Sequence, residues 1–437
     1  MESDWERFEI AAARVHILTH SDIVTANAKI YWQIDANIFR SLACAGQGRA
    51  KLLPRLRQLT WTVLNDDVYP HILLFLSPNI RDVTILMATG NAASDSMRFS
   101  LLTPLASQCP FIHSVALDGQ GNSLISWRNL FSKHASGVCT LFTQWTGLGS
   151  LSLQKLDLGP LTNVLVGLPA LTKLTLHACR TDVSTSSQND IKGFRMLQHL
   201  FLDNCDFDSC LRVLKCMQCT PLTCVNIRVI GTPDQPQWAE LFNELKNGAL
   251  QDDLSIMSIS SWADNLRNVL LSFQTISPLL SFQKLSQFRL YGLCALDLGD
   301  GDIRRVAKAW PRLQVFKICP GGTRPEPPRS TVHTLVSFAK HCPQLESLAL
   351  TINATTVPNY EEKPGKGVCN TRLRELGVHD STIANPGRVA AFISDIFPKV
   401  EKLKVSVTGE DQKRKWKEVE KLIPVFAAVR RQETNKT

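Results

Sequence analysis

Five cysteines stand close together in the middle of the chain, at Cys205, Cys210, Cys216, Cys219 and Cys224. Cys216 and Cys219 have the Cys-x-x-Cys spacing of structural zinc sites, in which four ligands converge tetrahedrally on the ion. A leucine pattern described below explains most of these positions without a metal. Cys205, for example, comes three residues after a patterned leucine, where such repeats bury an Asn or a Cys. The sequence therefore predicts buried thiols and no metal site.

Other catalytic or cofactor-binding patterns are weak. The chain has no Gly-x-Ser-x-Gly elbow, and its ten histidines are scattered. The segment GQGRAK at 46–51 lacks the Gly-Lys-Ser/Thr of a phosphate loop, so it is interpreted as an ordinary loop. The segment LDLGDGD at 296–302 lacks calcium-loop spacing and fits a helix-capping turn better. We expect no catalytic residue, no cofactor and no enzymatic activity.

The charge of the chain is concentrated at one end. The 437 residues carry a net charge of +9, from 48 Lys and Arg against 39 Asp and Glu. Residues from Lys399 onward hold 11 basic and six acidic side chains, so the rest is nearly neutral. We therefore expect no nucleic-acid partner. The run at 413–417 could be a nuclear signal, but a solvated helix face is the favoured interpretation.

Composition also indicates the compartment. Thirteen cysteines in a long chain whose first residues are acidic and polar favour a reducing environment. No apolar run approaches the ~18 residues needed to cross a bilayer. We expect a cytoplasmic or nuclear location and no membrane partner.

These residues are positioned by an internal repeat. The template Leu-x-x-Leu-x-Leu, with other large apolar residues allowed, recurs every 23 to 36 residues. Its thirteen matches begin at Leu56, Ile80, Ile112, Leu148, Leu171, Leu197, Leu222, Leu254, Leu285, Leu313, Leu345, Leu373 and Val400. The mean spacing, about 29, is at the long end for leucine-rich repeats. The alternating part of each match predicts a short strand with one buried face.

Prolines and helices complete the predicted repeat. A proline stands two residues before many matches and is expected to end a helix and start the next strand. These prolines are Pro54, Pro78, Pro110, Pro169, Pro311, Pro343 and Pro398. Amphipathic helices are predicted at 71–76, 302–310 with Asp302 as N-cap, 331–342 and 387–397, and a final helix is predicted to run up to Pro424.

The predicted fold is an α/β leucine-rich-repeat solenoid, a curved horseshoe with a parallel sheet on the concave face and helices on the convex face. We predict an N-terminal capping or linker segment at 1–50, about thirteen repeats at 51–407, and a basic capping helix and tail at 408–437. Two Pro- and Gly-rich stretches, at 320–330 and 353–370, are predicted surface loops. They either rim a binding surface or are tolerated insertions.

Several segments, in order, resemble F-box/leucine-rich-repeat proteins of mushroom-forming fungi. SDWERFEIAAARVHIL at 3–18 resembles the segment that follows the F-box in that family. LLPRLRQLTW at 52–61 resembles its first repeats, and VGLPALTKLTL at 166–176 resembles its middle. LDLGDGDIRRVAKAWPRLQVFKI at 296–318 and TVHTLVSFAKHCPQLESLAL at 331–350 resemble its last repeats. The resemblance extends over residues 3 to about 407.

The resemblance implies a substrate receptor of a cullin-type ubiquitin ligase. In that family the F-box binds a Skp-type adaptor and the repeats bind the protein to be ubiquitylated. The chain departs from the family because no segment matches the F-box. We therefore expect target binding by the repeats, and adaptor binding only if an F-box lies upstream.

The predicted binding surface is the concave face, where side chains at the x positions of x-Leu-x-Leu-x point away from the core. Phe201 and Tyr291 are the leading candidates, because exposed aromatics near arginine are typical interface anchors. The full set is Lys173, His177, His199, Phe201, Asp203, Asn226, Arg228, Arg289, Tyr291 and Lys317. The alternative is a scatter of ordinary surface residues.

The sequence thus predicts a protein-interaction module, most consistent with the repeat region of an F-box-type receptor. One alternative is a scaffold or recognition repeat unrelated to ubiquitin. Another is a repeat that activates GTPases, which would need a polar catalytic residue on a rim loop, and none stands out.

Overall fold

A computed structural model of the protein describes residues 2–21, 36–45, 51–63, 68–87, 102–119, 142–154, 158–180, 192–262, 270–292, 296–320, 327–358 and 367–434. The chain forms two compact units, an N-terminal unit over Met1–Thr220 and a C-terminal unit over Pro221–Thr437. The segment at 46–50, predicted to be a loop, and the central parts of the two predicted Pro-rich loops, 321–326 and 359–366, lie outside the described residues.

The N-terminal unit contains a parallel sheet whose strands pair in chain order. Each strand is hydrogen-bonded to the next along the sequence. The strands are β1 (Ile17–Ser21), β2 (Gln58–Val63), β3 (Asp82–Met87), β4 (Ser114–Gly119), β5 (Ser150–Gln154), β6 (Lys173–His177) and β7 (His199–Cys205).

The C-terminal unit repeats this arrangement with β8, β9, β11, β13, β14, β16 and β18 paired in parallel. Its strands are β8 (Cys224–Ile230), β9 (Ile256–Trp262), β10 (Leu271–Ser272), β11 (Gln287–Tyr291), β12 (Leu296–Asp297), β13 (Val315–Cys319), β14 (Ser347–Leu350), β15 (Asn353–Ala354), β16 (Glu375–His379), β17 (Thr382–Ile383) and β18 (Lys402–Ser406). The short strands form two further parallel pairs, β10 with β12 and β15 with β17.

The helices lie between the strands. In the N-terminal unit they are Glu2–Ala12, Ala36–Ala45, 102–108, 142–144, Leu158–Gly167 and Phe207–Lys215, with a 3-10 helix at Tyr69–Phe75. In the C-terminal unit they are Gln235–Gly248, Phe273–Ile276, Asp300–Ala309, His333–His341, Pro386–Ile396 and Glu410–Thr434, with a 3-10 helix at Ser277–Ser281. The predicted helix at 71–76 is therefore a 3-10 helix.

The predicted leucine-rich-repeat fold is confirmed by the burial of every other strand residue. In β7, for example, Leu200 and Leu202 are buried and Phe201 between them is half-buried. The same alternation occurs in β5, β6, β8, β11 and β13, because successive side chains of a strand point to opposite faces, whereas β14 and β16 also bury the small residues Ala349 and Gly377. We call the face that carries the non-core side chains the open face of each unit.

Prolines end the helices as predicted. The helix Asp300–Ala309 stops two residues before Pro311, and His333–His341 stops two residues before Pro343. Each proline lies in a turn that leads into the next strand, because a residue without a backbone N–H cannot continue the helical hydrogen bonds.

The prediction that Asp302 is an N-cap is wrong, because the helix begins two residues earlier. Gly299, in extended conformation, is the N-cap, and Asp302 occupies the third helical position. Its Oδ2 accepts a hydrogen bond from the Gly299 amide at 3.1 Å. Asp300 accepts from the Thr331 amide and the Thr334 hydroxyl, both at 2.7 Å. The aspartates of this segment therefore hold turns and neighbouring repeats together, as expected for a capping turn.

The prediction that the final helix ends at Pro424 is also wrong, since the helix Glu410–Thr434, called here the C-terminal helix, continues through it. An interior proline costs roughly 3 kcal/mol. Contacts on both sides of Pro424 offset this cost. Before it, Trp416 is fully buried and donates to the Ser381 carbonyl oxygen at 2.8 Å. After it, Arg430 donates to the Ala391 carbonyl oxygen at 2.8 Å.

Strand β1 adds a repeat that the leucine template does not detect. It lies within the segment at 1–50 that is predicted to be a cap or linker, and it pairs with β2. Its first residue, Ile17, is 62% exposed, and His20 is buried against the Trp61 ring at a centroid distance of 4.4 Å. The template misses β1 because a histidine occupies a core position.

Two valines on the C-terminal helix provide a matched test of the capping contact. Val419 is fully buried, whereas Val425 is 55% exposed. We expect Val419→Ala to lower the free energy of unfolding by about 2 kcal/mol, from lost transfer energy and a residual cavity. Val425→Ala should change it by less than about 0.5 kcal/mol. Urea titration measures both, and equal effects would show that this helix does not cap the unit as described.

Candidate partner-binding surfaces

The five candidates in the N-terminal unit lie together on β6 and β7. Thr175 is opposite Phe201, and His177 is opposite Asp203. The His177 Nδ1 is 2.7 Å from the Asp203 Oδ2, and the Lys173 Nζ lies 5.5 Å from the centroid of the Phe201 ring. Lys173 is exposed and the other four are half-buried. The predicted cluster therefore forms one patch on the open face.

Phe201 stands at the end of a row of short side chains. The residues at its register position on the preceding strands are Thr60, Thr84, Ala116, Ser152 and Thr175. A phenylalanine is much larger than these neighbours, so its ring is the largest apolar feature of this row. Lys173 is the cation that the structure places over it.

The candidates in the C-terminal unit divide into two groups. Arg289 and Tyr291 on β11 are adjacent to Lys317 on β13, with Arg289 directly opposite Lys317. Asn226 and Arg228 on β8 are separated from them by the serines of β9. All five side chains are half-buried. Burial raises the pKa of Tyr291, so its hydroxyl stays protonated at neutral pH and can both donate and accept hydrogen bonds.

Glu375 is the centre of a charge cluster on this open face. Its Oε1 is 2.8 Å from the Lys317 Nζ and 3.0 Å from the Lys404 Nζ. The Ser347 hydroxyl donates to the same oxygen at 3.2 Å. Burial alone would raise the pKa of Glu375, but the hydrogen bonds and charges of the two lysines outweigh it and lower the pKa to about 2. Lys317 is therefore held by a carboxylate rather than free.

The two lysines reach Glu375 across a floor of small residues. Ala349 and Gly377 occupy the register positions between Lys317 and Lys404. A Cβ on Gly377 would lie 2.8 Å from the Ala349 Cβ, closer than real side chains approach. The close approach of these residues explains why glycine is required here.

Cys319 and His379 form a thiol–imidazole contact beside this floor, with 3.2 Å between Sγ and Nε2. Burial raises the pKa of Cys319 to about 11, although the charges of Lys317 and Lys404 oppose the shift. Burial also lowers the pKa of His379. Both groups are therefore neutral near pH 7, and the pair lacks the thiolate that nucleophilic catalysis needs.

The cysteines of the predicted cluster in the N-terminal unit mostly serve the repeat core. The Cys205 thiol is fully buried and donates to the Leu176 carbonyl oxygen at 3.5 Å. Cys210 and Cys216 are buried, whereas Cys219 is exposed. Within the described ranges, no group of three or more His, Cys, Asp or Glu side chains could hold a metal ion. In the C-terminal unit, Cys224 is half-buried at the start of β8.

Sequence reasoning missed Glu375, Lys404, Cys319 and His379. All four occupy x positions of the same template that identified the other candidates. Pairing the predicted strands in order would have placed Glu375 beside Lys404 on the next strand and two strands from Lys317, so a signal for the cluster was present. Across the part of the chain that the structure describes, no helix is both long enough and apolar enough to span a membrane.

Comparisons with known proteins find no family and no curated protein that matches the chain. Among solved structures, the chain is similar to one described as the crystal structure of the Rad7 and Elc1 complex in yeast. The identity is 13%, the alignment covers 87% of this chain and 85% of that chain, and the TM-score is 0.36. The class of the chain, a leucine-rich-repeat α/β protein, rests on its own strand order, register and burial.

The Glu375 cluster predicts a pH-dependent stability. Because the folded pKa of about 2 lies below the ordinary value of 4.5, the ionised carboxylate stabilises the fold above pH 4.5. This contribution, on the order of 1–2 kcal/mol because solvent screens the partly exposed ion pairs, is lost as the pH falls from 4.5 toward 2. We expect Glu375→Gln to lower the free energy of unfolding at pH 7. The difference in this free energy between the variant and the wild type should become smaller as the pH falls.

The matched control is Glu401→Gln, since Glu401 forms an ion pair with Arg374 and is 69% exposed. We expect a loss below about 1 kcal/mol, typical of surface pairs. Urea titrations at several pH values measure both variants. Equal losses of unfolding free energy in the two variants would contradict the role given to Glu375. A difference between Glu375→Gln and the wild type that stays constant with pH would contradict it as well.

Proposed function

We propose that the protein is a non-enzymatic interaction module whose open sheet faces bind a protein partner. The observation that supports this most is the presence of Phe201 and Tyr291 on these faces, each half-buried and beside cationic side chains. Burying aromatic rings against a partner releases water, and aromatics with nearby arginines are the commonest binding hot spots.

The charges on the C-terminal unit's open face favour an acidic partner surface. Arg228, Arg289 and Lys317 are cationic, and Lys404 joins them through Glu375. The carboxylate neutralises only part of this charge. An acidic segment would therefore be attracted to this face, and complementary charge would speed association.

We propose further that these repeats recognise the substrate of an F-box-type receptor for a cullin-based ubiquitin ligase. The support is the ordered resemblance of residues 3 to about 407 to fungal F-box/leucine-rich-repeat proteins. On this proposal the protein acts in the cytoplasm or nucleus, and a Skp-type adaptor binds only through an F-box upstream of these residues. The alternative is a scaffold or recognition protein unrelated to ubiquitin.

Substitutions on the open faces test partner binding. We expect Phe201→Ala, Arg228→Ala and Tyr291→Ala each to weaken capture of a partner about tenfold or more, since hot-spot truncations cost about 2 kcal/mol. Their thermal midpoints should stay close to wild type, because none of the three belongs to the core. The measurement is affinity purification from extracts of the source cells, followed by titration with the recovered partner.

The control variant is Met196→Ala, whose side chain is 51% exposed in the turn before β7 and not on the open face. It should leave capture unchanged. Capture by the three open-face variants at wild-type strength would count against these surfaces as the partner site.

The ligase assignment is tested separately. The transcript upstream of Met1 is sequenced, and a chain extended by any F-box it encodes is purified. Co-purification of a Skp-type adaptor with the extended chain supports the receptor role. A captured partner without any adaptor would favour the scaffold alternative.

A further inference from the structure

A basic cleft lies in the N-terminal unit, away from the open face. It has a volume of about 490 Å³ and is lined by His16, Arg55, Arg57, Asn79 and Arg81. His16, Arg57 and Arg81 directly precede β1, β2 and β3, so the cleft is at the edge where these strands begin. All its lining side chains are polar, and four of the five are basic types.

The backbone stacks three of these residues directly on one another. The Arg57 amide donates to the His16 carbonyl oxygen at 2.8 Å, and the Arg81 amide donates to the Arg57 carbonyl oxygen at 2.8 Å. Residues bonded in this way are separated by the strand spacing of about 4.8 Å. The parallel ladder therefore brings the backbones of two arginines and a histidine one strand spacing apart, and all three residues line the cleft.

Stacked like charges destabilise a sheet edge unless something neutralises them. Among the described residues, none of the three arginines of the cleft forms an ion pair with a carboxylate. In the C-terminal unit, the arginine at the same position of the backbone ladder is neutralised by a carboxylate. There Arg374 is hydrogen-bonded through the backbone to Glu346 and Glu401, and its side chain pairs with Glu401 at 2.9 Å. The cleft lacks this alternation of charge.

The backbone around the cleft is held in place by hydrogen bonds that leave guanidinium donors available. Asn79 donates to the Pro54 carbonyl oxygen at 2.7 Å, and the His16 Nδ1 donates to the Arg55 carbonyl oxygen at 3.0 Å. The Arg81 Nη1 donates to the Pro78 carbonyl oxygen at 3.2 Å and to the Phe111 carbonyl oxygen at 3.3 Å, and the guanidinium lies 5.1 Å from the centre of the Phe111 ring. An anion would therefore meet a partly pre-organised site.

We propose that this cleft binds the phosphoryl group of a phosphorylated protein partner. A phosphoryl group carries close to two negative charges and three acceptor oxygens, which matches several converging arginines better than one carboxylate does. Nucleic acid is less favoured, because outside the C-terminal tail the chain is nearly neutral and offers no extended basic track. The choice of a protein as the source rests on the proposed function, whereas the anion site itself does not.

The first experiment uses the full chain and inorganic phosphate as the probe. Thermal midpoints are measured in phosphate and in chloride at equal ionic strength. Phosphate should raise the wild-type midpoint by an amount on the order of 2 °C. Arg57→Gln should abolish that rise and should raise the midpoint in chloride, because it removes one of the stacked charges.

The control variant is Arg374→Gln, at the same ladder position of the C-terminal unit. It should keep the phosphate effect and lower the midpoint in chloride, because it breaks an ion pair. Arg55 lines the cleft but is not part of the backbone ladder. Arg55→Gln should therefore weaken the phosphate effect while Arg57 and Arg81 stay in place. A phosphate effect that is absent in wild type, or that survives in Arg57→Gln, would overturn the anion site.

The second experiment identifies the source of the phosphoryl group. A degenerate phosphoserine peptide library, its unphosphorylated counterpart and phosphatidylcholine vesicles containing phosphatidylinositol bisphosphate are each titrated with the chain. We expect binding to the phosphopeptides alone, weakened about tenfold or more by Arg57→Gln. Binding to the vesicles alone, or equally to both peptide libraries, would overturn the assignment to a phosphorylated protein.

These outcomes can be separated from failure of the proposed function. Loss of partner capture in Phe201→Ala or Tyr291→Ala concerns the open faces, whereas the phosphate effect concerns the edge of the sheet before β1, β2 and β3. A chain that binds phosphate but captures no protein would refute the proposed function and keep the anion site.

Discussion

The structure depends on one constraint, that a single repeat cannot bury its own apolar side chains. Each strand offers two or three large residues on one face, and they lose contact with water only against the helices and the strands on either side. The parallel in-register ladder follows from this requirement, because a shift by one residue would expose the core set. Even Trp61, Phe288 and Phe316 occupy these positions without breaking the register.

The same constraint produces the candidate surfaces. Once alternate residues are committed to the core, the remaining ones must form a continuous open face in each unit. Their identity is then free to vary with function. In the N-terminal unit a row of short side chains leads up to Phe201, whereas the C-terminal unit gathers cations around Glu375. The open faces of the two units therefore carry different side chains, although both units follow the same repeat.

Much of the fold could be predicted from the sequence, because the signals are local. A large apolar residue at every second position and a proline before seven of the thirteen strands indicate element type and order. The errors arose where distant contacts override local rules. The C-terminal helix passes through Pro424 because Trp416 and Arg430 anchor its two ends to neighbouring elements. Strand β1 was missed because His20 replaces an apolar residue and stacks on Trp61.

The candidate sites were predicted less completely, since side chains from different repeats meet only once the strands are in register. Phe201 and Tyr291 were found because their type and position are visible within one repeat. Glu375 was not, because its importance comes from lysines 58 and 29 residues away. The stack of His16, Arg57 and Arg81 likewise appears only in the ladder.

The most direct test of the account is an aspartate scan along β8, from Val225 to Val229. Val225, Ile227 and Val229 are fully buried, and Asn226 and Arg228 lie on the open face. Unfolding by urea should show losses above about 3 kcal/mol at the three buried positions, because an unpaired charge enters the core, and small changes at the other two. Losses without this period of two would contradict the alternation on which both the core and the candidate surfaces rest.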